Sequence, residues 1–432
     1  MPGPAPVEPF RQPLSVIDRL VFEMVRRSTD TALHLGLVMM FDGPPPSREQ
    51  LVEQMAARLP YTPELTFRMG GNPRRPVWEN DPDFELGNHL HQLTLATAAE
   101  GDDPDRVLTA LHGEPISRTH PLWGIWWVRG ERGYAIGYKA HHAFQDGLAA
   151  VETCERLFGP EPREASPPPP AARPSLLEKL NTLRQMVVKD LLPSLRRNVP
   201  WVGSAHPASG RRVALTAAVE LSRLHALGRA TGASVNQVCV AAVAGVVRAW
   251  HPEHWAGRDG GLRAMMAINV RDPQVPYRLL GNYAGVASLF LPCAEAAPLA
   301  RLASARVEAS YARLAGVGRR HRMLFQKVPY WAGVLGTNQI VDPRYNSLAL
   351  ADVRLRRPLR FAGTAARSTH LLPVAVPNQL LFTAWTTHQG RLYVTFLVDT
   401  GVGGHERLPQ AWLTALAELE GAVRRSAADG SG

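Results

Sequence analysis

The sequence predicts an α/β protein that folds as two domains, and three observations lead to this prediction. The chain has 432 residues, which is too long for one ordinary hydrophobic core. Strand-like alternation and helix-like apolar spacing both occur in each half of the chain. A proline-rich stretch at residues 159–174 separates the halves, because prolines fix φ, lack a backbone donor and therefore interrupt helices and central strands.

The proline-rich stretch sets the predicted domain limits. We expect an N-terminal domain at residues 1–158, a linker with a crossover helix at 159–205 and a C-terminal domain at 206–432. Ser175 is in position to cap the crossover helix, which has an apolar face from Leu176 onwards and basic residues on the other face. A helix of this kind packs on the protein itself or lies at a membrane surface, and we expect packing on, or between, the two halves.

The N-terminal half contains a predicted hairpin that leads into a helix. Two strand-like runs flank the turn-rich stretch Arg129–Gly133. The second run continues into His141-His142, and Asp146-Gly147 then begins a helix with one apolar face. The histidines therefore lie on a strand-to-helix turn, where a rigid scaffold often presents catalytic side chains.

The C-terminal half repeats the mixture of strands and helices. An apolar segment ends at Trp250 and follows Ser234, which has capping-box spacing to Gln237, so we expect a buried helix there. Strand-like runs within residues 380–397 predict a second hairpin. A final helix is expected at residues 409–423.

Composition narrows the class of protein. Hydrophobic residues make up 45% of the chain and charged residues 20%, which is typical of a globular protein. The three cysteines have no paired spacing, so we expect neither a disulfide framework nor a zinc ribbon, and a reducing cytoplasm fits best. We also expect no secretory signal and no membrane span, since the longest apolar run is far shorter than the ~20 residues a spanning helix needs.

The net charge of +10 could attract nucleic acid, anionic lipid, an acidic carrier protein or a phosphate-bearing cofactor. The basic residues are scattered, with short clusters at residues 319–322 and 354–360. These clusters are not interleaved with aromatic residues, so we expect no nucleic-acid binding.

His141, His142 and Asp146 allow three interpretations. In a metal site, both histidines would have to reach one ion, yet adjacent residues on extended backbone point to opposite faces, and no other ligands complete the set. Alternatively, both are hydrogen-bonded core histidines at a turn. In the third interpretation one imidazole faces a cavity as a general base, since a pKa of ~6.5 leaves it neutral at cellular pH.

A resemblance to a known superfamily favours the general base. The segment His141–Gly147 resembles the His-His-x-x-x-Asp-Gly signature of chloramphenicol acetyltransferases, carnitine acyltransferases and nonribosomal peptide condensation domains. Most of the chain is similar to the bacterial wax ester synthase/diacylglycerol acyltransferase family. The matching blocks, in chain order, are Pro13–Asp18, His34–Gly36, Phe67-Arg68, Trp78, Asp83-Phe84, His89, Pro121–Trp123, Asn269–Arg271 and Gly281-Asn282.

The resemblance implies a role for each residue of the signature. His142 would deprotonate the acceptor, and His141 would belong to the scaffold. Asp146 would hold the loop by pairing with an arginine, for which Arg271 is the candidate. Gly147 would let the substrate approach the backbone closely.

The resemblance also implies a fold and a reaction. The fold would consist of two chloramphenicol-acetyltransferase-like sandwich domains, with mixed sheets flanked by helices and a tunnel and active site at their interface. An O- or N-acyltransferase reaction would move an acyl group from acyl-CoA, or from the phosphopantetheine of an acyl carrier protein, to an alcohol or amine in a ternary complex. No bound cofactor or metal is expected. The candidates for lining the substrate channel are Pro121, Trp123, Asn236, Thr337 and Asn338.

Two departures from the family pattern bear on the acceptor. Asn236-Gln237 replaces an Asn-Asp pair, and Thr337–Pro343 replaces a Ser-Asn-Val-Pro-Gly-Pro loop, which favours a smaller or polar acceptor. A lipid-forming synthase with long-chain substrates and peripheral contact with lipid surfaces is the alternative. A non-catalytic relative that binds acyl ligands or partners is a third hypothesis.

Overall fold

The computed structural model describes residues 10–27, 33–72, 75–160, 176–192, 196–198, 201, 209–272, 279–325 and 329–429. The strands are β1 Arg11–Pro13, β2 His34–Asp42, β3 Phe67–Asn72, β4 Arg75–Asn80, β5 Leu90–Leu93, β6 Trp123–Arg129, β7 Gly133–His141, β8 Arg212–Glu220, β9 Leu262–Asn269, β10 Ala284–Leu291, β11 Leu348–Asp352, β12 Arg360–Phe361, β13 Thr364–Ala365, β14 Ser368–Leu372, β15 Leu381–His388 and β16 Arg391–Asp399. The helices are α1 Val16–Arg27, α2 Arg48–Arg58, α3 Pro104–Gly113, α4 Gly147–Phe158, α5 Leu176–Met186, α6 Leu221–Thr231, α7 Val235–Trp250, α8 Pro252–Trp255, α9 Pro298–Glu308, α10 Tyr311–Phe325, α11 Tyr330–Ile340 and α12 Leu408–Asp429.

The first large sheet has the strand order β14-β2-β7-β6-β5. Strand β5 runs parallel to β6, and the other neighbours are antiparallel. The hairpin predicted around Arg129–Gly133 is confirmed as β6 and β7. Every residue of β7 is buried, so both faces of this central strand are covered, and α4 packs on it and on β2.

The second large sheet has the strand order β10-β9-β11-β15-β16-β8 and is mixed. The predicted second hairpin is confirmed as β15 and β16. Helices α7, α9 and α12 pack against one another beside this sheet. The predicted buried helix is α7, and its capping box is present, with Ser234 and Gln237 each accepting from the other's backbone N–H at 3.3 Å and 2.8 Å.

Within the described ranges no single helix is long and apolar enough to cross a membrane. Helices α6 and α7 together have the length and apolar composition of a membrane span, but the angle between them is 96°.

Strand β14 belongs to the second half of the chain by sequence but joins the sheet of the first half. It follows β11–β13 in sequence, yet it pairs antiparallel with β2 of the first sheet, from Ser368 opposite Met40 to Leu372 opposite Gly36. The predicted division at residues 159–205 does not account for this strand. Sequence patterns predict that a strand forms, but they do not say which sheet it joins.

Helix α3 makes a reciprocal contact from the first half to the second. It covers β8, the edge strand of the second sheet. The backbone N–H of Ala214 donates to Thr109 Oγ1 at 2.9 Å, and the Thr216 hydroxyl donates to Asp105 Oδ1 at 2.6 Å. These side chains satisfy part of an edge that would otherwise offer unpaired backbone groups.

The predicted crossover helix is present as α5. Ser175 and most of the proline-rich stretch, residues 161–175, lie outside the described residues. Helix α5 continues as a π-helical turn at Val187–Leu191 and packs on α10. Asp190 of this turn pairs with Arg320, Oδ1 to Nη2, at 2.5 Å.

Candidate active site

The histidine pair lies where β7 ends and α4 begins. The backbone N–H of His141 donates to Leu122 O at 2.9 Å, and that of His142 donates to Leu33 O at 2.7 Å. Asp146 then caps α4 by accepting from the backbone N–H of Ala149 at 3.0 Å. Both sides of the turn are therefore fixed by backbone hydrogen bonds.

His141 faces the interior of the first half. Its ring stacks on Phe22, with ring centroids 4.9 Å apart, and meets the edge of His34. The His141 Nδ1 accepts from the backbone N–H of Ala143 at 3.1 Å. Burial lowers the pKa of His141 to about 3, so its imidazole is neutral and belongs to the packed scaffold.

His142 is partly exposed and lines a cavity of about 530 Å³ between the two large sheets. Burial lowers its pKa below the ordinary value, while the charge of Asp146 and hydrogen bonds to the carbonyls of His142 and Gln145 act in the opposite direction. A lowered pKa leaves the imidazole neutral near pH 7, which a general base requires.

Two sets of hydrogen-bonding partners lie beside the His142 ring. The Asn282 side-chain amide nitrogen lies 3.1 Å from it, with the amide oriented by Asn282 Oδ1 accepting from the backbone N–H of Ala284 at 2.9 Å. Hydrogen bonds from the ring to the carbonyls of His142 and Gln145 raise its pKa, and a proton on Nδ1 would leave the Nε2 lone pair available to a substrate. In that tautomer the Asn282 amide can donate to His142 O, 3.4 Å away.

Asp146 pairs with Arg271, the partner predicted for it. Arg271 Nη2 lies 2.8 Å from Asp146 Oδ2, and both side chains are buried. Asp146 Oδ2 also accepts from the backbone N–H of Tyr283 at 2.8 Å. The carboxylate therefore joins the turn of the first half to the segment between β9 and β10 of the second, and its acceptor sites are occupied by scaffold groups.

Asp18 and Asn282 lie within blocks that match the family pattern, and the structure adds both residues to the site. The buried Asp18 forms a capping box at the start of α1, with reciprocal 3.1 Å hydrogen bonds to Ser15, and accepts from the backbone N–H of Asn282 at 2.8 Å. Gly281 has a φ of +86°, a conformation that favours glycine, and its N–H donates to Phe144 O at 2.7 Å. The sequence signal for both residues is their position within blocks that match the family pattern.

The cavity wall is mostly apolar around His142. The aliphatic and aromatic part of the wall includes Leu20, Met24, Leu33, Val286, Val353 and Phe382. A second part, formed by the extension of α5 and by α10, contributes Lys189, Asp190, Arg313 and His321. The cavity thus combines a long apolar surface with a polar, mainly basic region.

The structure brings one of the five channel candidates to this cavity. Thr337 lines it, but its hydroxyl donates to Gly333 O at 2.9 Å within α11. Pro121, Trp123, Asn236 and Asn338 are not among the lining residues, which corrects the expectation for these four.

Strand and helix packing explain the correction. Trp123 is buried in β6, where its indole N–H donates to Leu65 O at 2.7 Å. Asn236 is buried in the first turn of α7, in the helix layer beside the second sheet. Residues 337–340 form the last turn of α11 rather than a loop, so Thr337 faces the cavity and Asn338 does not.

Gly147 lines the cavity as well. A Cβ atom added there would meet Val353 Cγ2 at 3.5 Å, an ordinary contact. The protein itself therefore does not require glycine at this position, and the role predicted for Gly147 toward a substrate stays a prediction.

Metal ligation finds no support in the described part of the chain. Its His, Cys, Asp and Glu side chains include no group of three or more that could hold an ion. His141 and His142 also face different surroundings, a packed core and a cavity respectively.

Comparison with known proteins relates the first half of the chain to one enzyme family. Residues 14–209 match the sequence profile of the wax ester synthase/diacylglycerol acyltransferase catalytic domain. A Mycobacterium tuberculosis protein named as a probable diacylglycerol O-acyltransferase is 27% identical over 283 residues, which are 57% of this chain and 62% of that protein. Residues 14–209 are therefore similar to the catalytic domain of the wax ester synthase/diacylglycerol acyltransferase family. The match to the M. tuberculosis protein spans about three-fifths of the length of that protein.

Solved structures show that the family fold extends over nearly the whole chain. The wax ester synthase/diacylglycerol acyltransferase from Marinobacter aquaeolei VT8 superposes with a TM-score of 0.67 at 20% identity, over 95% of this chain and 99% of that chain. A starter condensation domain of rhizomide synthetase, solved with C8-CoA and Leu-SNAC, gives a TM-score of 0.64 at 14% identity, over 96% and 94% of the two chains. The predicted α/β class, with two sandwich domains, is confirmed.

Proposed function

We propose that the protein is an acyltransferase that moves an acyl group from a thioester to a hydroxyl or amine, with His142 as general base. The observation that carries this proposal is the position of the His142 ring, which lines an apolar cavity between the two halves while Asp146 is engaged with Arg271. His142 thus has access to substrate without a carboxylate partner of its own.

The proposed step uses the tautomer with a proton on Nδ1. Nε2 takes the proton from the acceptor as its oxygen or nitrogen forms a bond to the thioester carbonyl carbon. The tetrahedral oxyanion then collapses, the carbon–sulfur bond breaks, and the proton on Nε2 passes to the thiolate. The cavity would hold both substrates at one imidazole and limit hydrolysis of the thioester by water.

Acyl-CoA is the donor that the comparisons favour. The rhizomide synthetase condensation domain, which shares the fold, was solved with C8-CoA. Lys189, in the polar part of the cavity wall, would suit the phosphates of CoA or of a phosphopantetheine carried by an acidic protein, whereas Arg313 in the same part is ion-paired with Glu308 at 3.3 Å.

The apolar wall favours a lipid-forming reaction over one with a polar acceptor. Leu20 and Met24 of α1 line the cavity together with Val286 and Phe382, and an acyl chain bound there would be removed from water. The M. tuberculosis relative is named as a diacylglycerol O-acyltransferase, which points to the same class of acceptor. We therefore place a long-chain alcohol or a diacylglycerol ahead of a small polar amine.

Thiol release tests the reaction. Wild type and His142→Ala would be assayed with medium-chain and long-chain acyl-CoA, each with a long-chain alcohol, a diacylglycerol or a polar amine as acceptor. We expect His142→Ala to lose ~10²–10⁴-fold in rate, the usual contribution of a general base, while its circular dichroism spectrum is unchanged. His225→Ala, an exposed histidine on α6, is the matched control and should keep full activity.

Two outcomes would contradict the proposal. Full turnover by His142→Ala would exclude His142 as the base. If wild type binds acyl-CoA but releases no thiol with any acceptor, the protein is a non-catalytic relative that binds acyl ligands.

A further inference from the structure

The pairing of β9 with β11 in the second sheet ends before either strand does. The two strands run parallel, and their last pair is Met266 opposite Leu350. Strand β9 then continues to Asn269, still paired with β10, and β11 continues to Asp352, still paired with β15. The two strands therefore diverge beyond their last pair, and we call the space between them the β9–β11 gap.

Burial along β9 changes at the same point. Met265 and Met266 are buried, whereas Ala267 and Asn269 are exposed and Ile268 is half-buried. Strand β9 lies between β10 and β11 rather than at an edge of the sheet. Exposure in the middle of a sheet means that neighbouring side chains do not fill the space beside the strand, so the gap is open.

The cavity that His142 lines enters this gap. Successive side chains of a strand point to opposite faces of the sheet. Ala267 and Ala351 line the cavity from the face toward the first sheet, where Ala351 packs with residues of the first half. Ile268 and Leu350 line it from the opposite face, where Leu350 belongs to the core beside α7. Because both faces contribute to its wall, the cavity passes between the strands and penetrates the second sheet.

The gap begins beside the proposed base. Val353, which follows β11, has its Cγ2 atom 3.5 Å from the position of a Cβ atom added at Gly147. Arg271, which follows β9, pairs with Asp146 at 2.8 Å. The C-terminal ends of both strands thus flank the turn that carries His142, and the gap leads from that turn into the sheet.

The walls of the gap are apolar. The four strand side chains that line it are two alanines, an isoleucine and a leucine, which have no hydrogen-bonding group. Val317 of α10, which is buried, lines the same cavity. The carboxylate of Asp352, at the end of β11, is engaged with Arg354 at 3.3 Å. A space of this kind favours hydrocarbon, because each methylene group that enters it leaves water.

We propose that the β9–β11 gap holds the far end of a long alkyl chain of a substrate, and that Ala267 and Ile268 limit the length of this chain. The reacting end would lie at His142, and the chain would extend between the strands. This role rests on the proposed acyl transfer and adds the part of the cavity that selects chain length. An acyl donor and an alcohol acceptor both carry an alkyl chain, and the experiment separates these two sources.

Chain-length profiles of two variants test the gap. Ala267→Phe adds volume at an exposed position, so it narrows the gap without crowding the core, whereas Ile268→Ala widens the gap. With a short alcohol as acceptor, we expect Ala267→Phe to lower the ratio of kcat/KM for palmitoyl-CoA to that for butyryl-CoA by about tenfold, the effect of leaving about two methylene groups in water. Ile268→Ala should raise kcat/KM for stearoyl-CoA relative to palmitoyl-CoA.

The matched control is Ala218→Phe. Ala218 is a half-buried alanine on β8, at the far edge of the same sheet, and does not line this cavity. The control should keep the wild-type ratios. A second series varies the length of the alcohol against butyryl-CoA, and a tenfold fall in the long-to-short ratio there assigns the gap to the chain of the acceptor.

Binding measured without turnover separates this inference from the reaction. Titration calorimetry would give the affinity of each protein for palmitoyl-CoA, butyryl-CoA and a long-chain alcohol, each added alone. If wild type releases no thiol while Ala267→Phe weakens long-chain binding, the reaction fails and the gap retains its role. Unchanged chain-length ratios and affinities in both gap variants would overturn the inference, as would an equal shift in Ala218→Phe.

Discussion

Asp18 Oδ1 accepts a hydrogen bond from the backbone N–H of Asn282 at 2.8 Å, across 264 positions of sequence. Asn282 in turn lies 3.1 Å from His142 Nδ1. Burial raises the pKa of Asp18 to about 6, although Asn282, Ser15 and Trp78 all donate to its carboxylate and favour its charged form. The start of α1 therefore sets the position of the residue beside the proposed base.

Replacing Asp18 tests whether this contact positions His142. In Asp18→Asn, one carboxylate oxygen becomes an NH₂ group, so either the contact with Asn282 or the contacts with Ser15 and Trp78 are lost and the start of α1 moves relative to Asn282. We expect kcat for thiol release to fall by about 10–100-fold, with little change in KM. Ser47→Ala is the control, because it removes the cap of α2 and leaves Asn282 in place. An equal loss in both variants would indicate destabilisation rather than positioning.

Asp146 and Arg271 should stabilise the protein as a pair. Asp146→Ala or Arg271→Met leaves one buried charge without its partner, which typically costs about 3–5 kcal/mol of unfolding free energy. Urea unfolding should show a smaller loss for the double variant than the sum of the single losses. Asp342→Ala breaks the exposed pair with Arg344 and should cost at most about 1 kcal/mol. If Asp146→Ala is fully stable but inactive, Asp146 acts in the chemistry instead.

The pH dependence of turnover should reflect the lowered pKa of His142. Because burial lowers this pKa, the ring stays neutral and able to accept a proton as the pH falls through ~6.5, the ordinary histidine value. We therefore expect kcat/KM to remain level there and to decline only at lower pH. Thiol release in buffers of constant ionic strength would give the profile. An apparent pKa at or above the ordinary value would contradict the assignment.

Lys139, two residues before the histidine pair, should make stability depend on pH. Its ammonium group is fully buried and donates to the carbonyls of Leu111 and Glu114, and burial lowers its pKa to about 7. Between about pH 7 and 10 Lys139 is protonated in the unfolded chain and deprotonated in the folded protein. The free energy of unfolding should therefore rise with pH, by up to ~1.4 kcal/mol per pH unit. In Lys139→Met, the free energy of unfolding measured with denaturant should lose this increase with pH. An unchanged slope would show that Lys139 stays charged in the fold.

Residues close together in the chain specify the local elements around the site. The hairpin β6–β7, the capping box of α7 and the start of α4 at Asp146 depend on residues close together in the chain, so periodicity and capping residues predict them. The signature His141–Gly147 also placed the histidines on a strand-to-helix turn, and the resemblance it carried led to Arg271.

The tertiary structure decided the contacts between distant segments. Pairing of β14 with β2, the bond from Asp18 to Asn282 and the absence of Asn236 from the cavity wall all depend on which surfaces meet when the two halves pack. Helix α11 shows the same limit, since it contains no charged residue, yet Trp331 and Leu335 are exposed. Local sequence specifies which residues form a helix or strand, whereas burial depends on neighbours contributed from elsewhere in the chain.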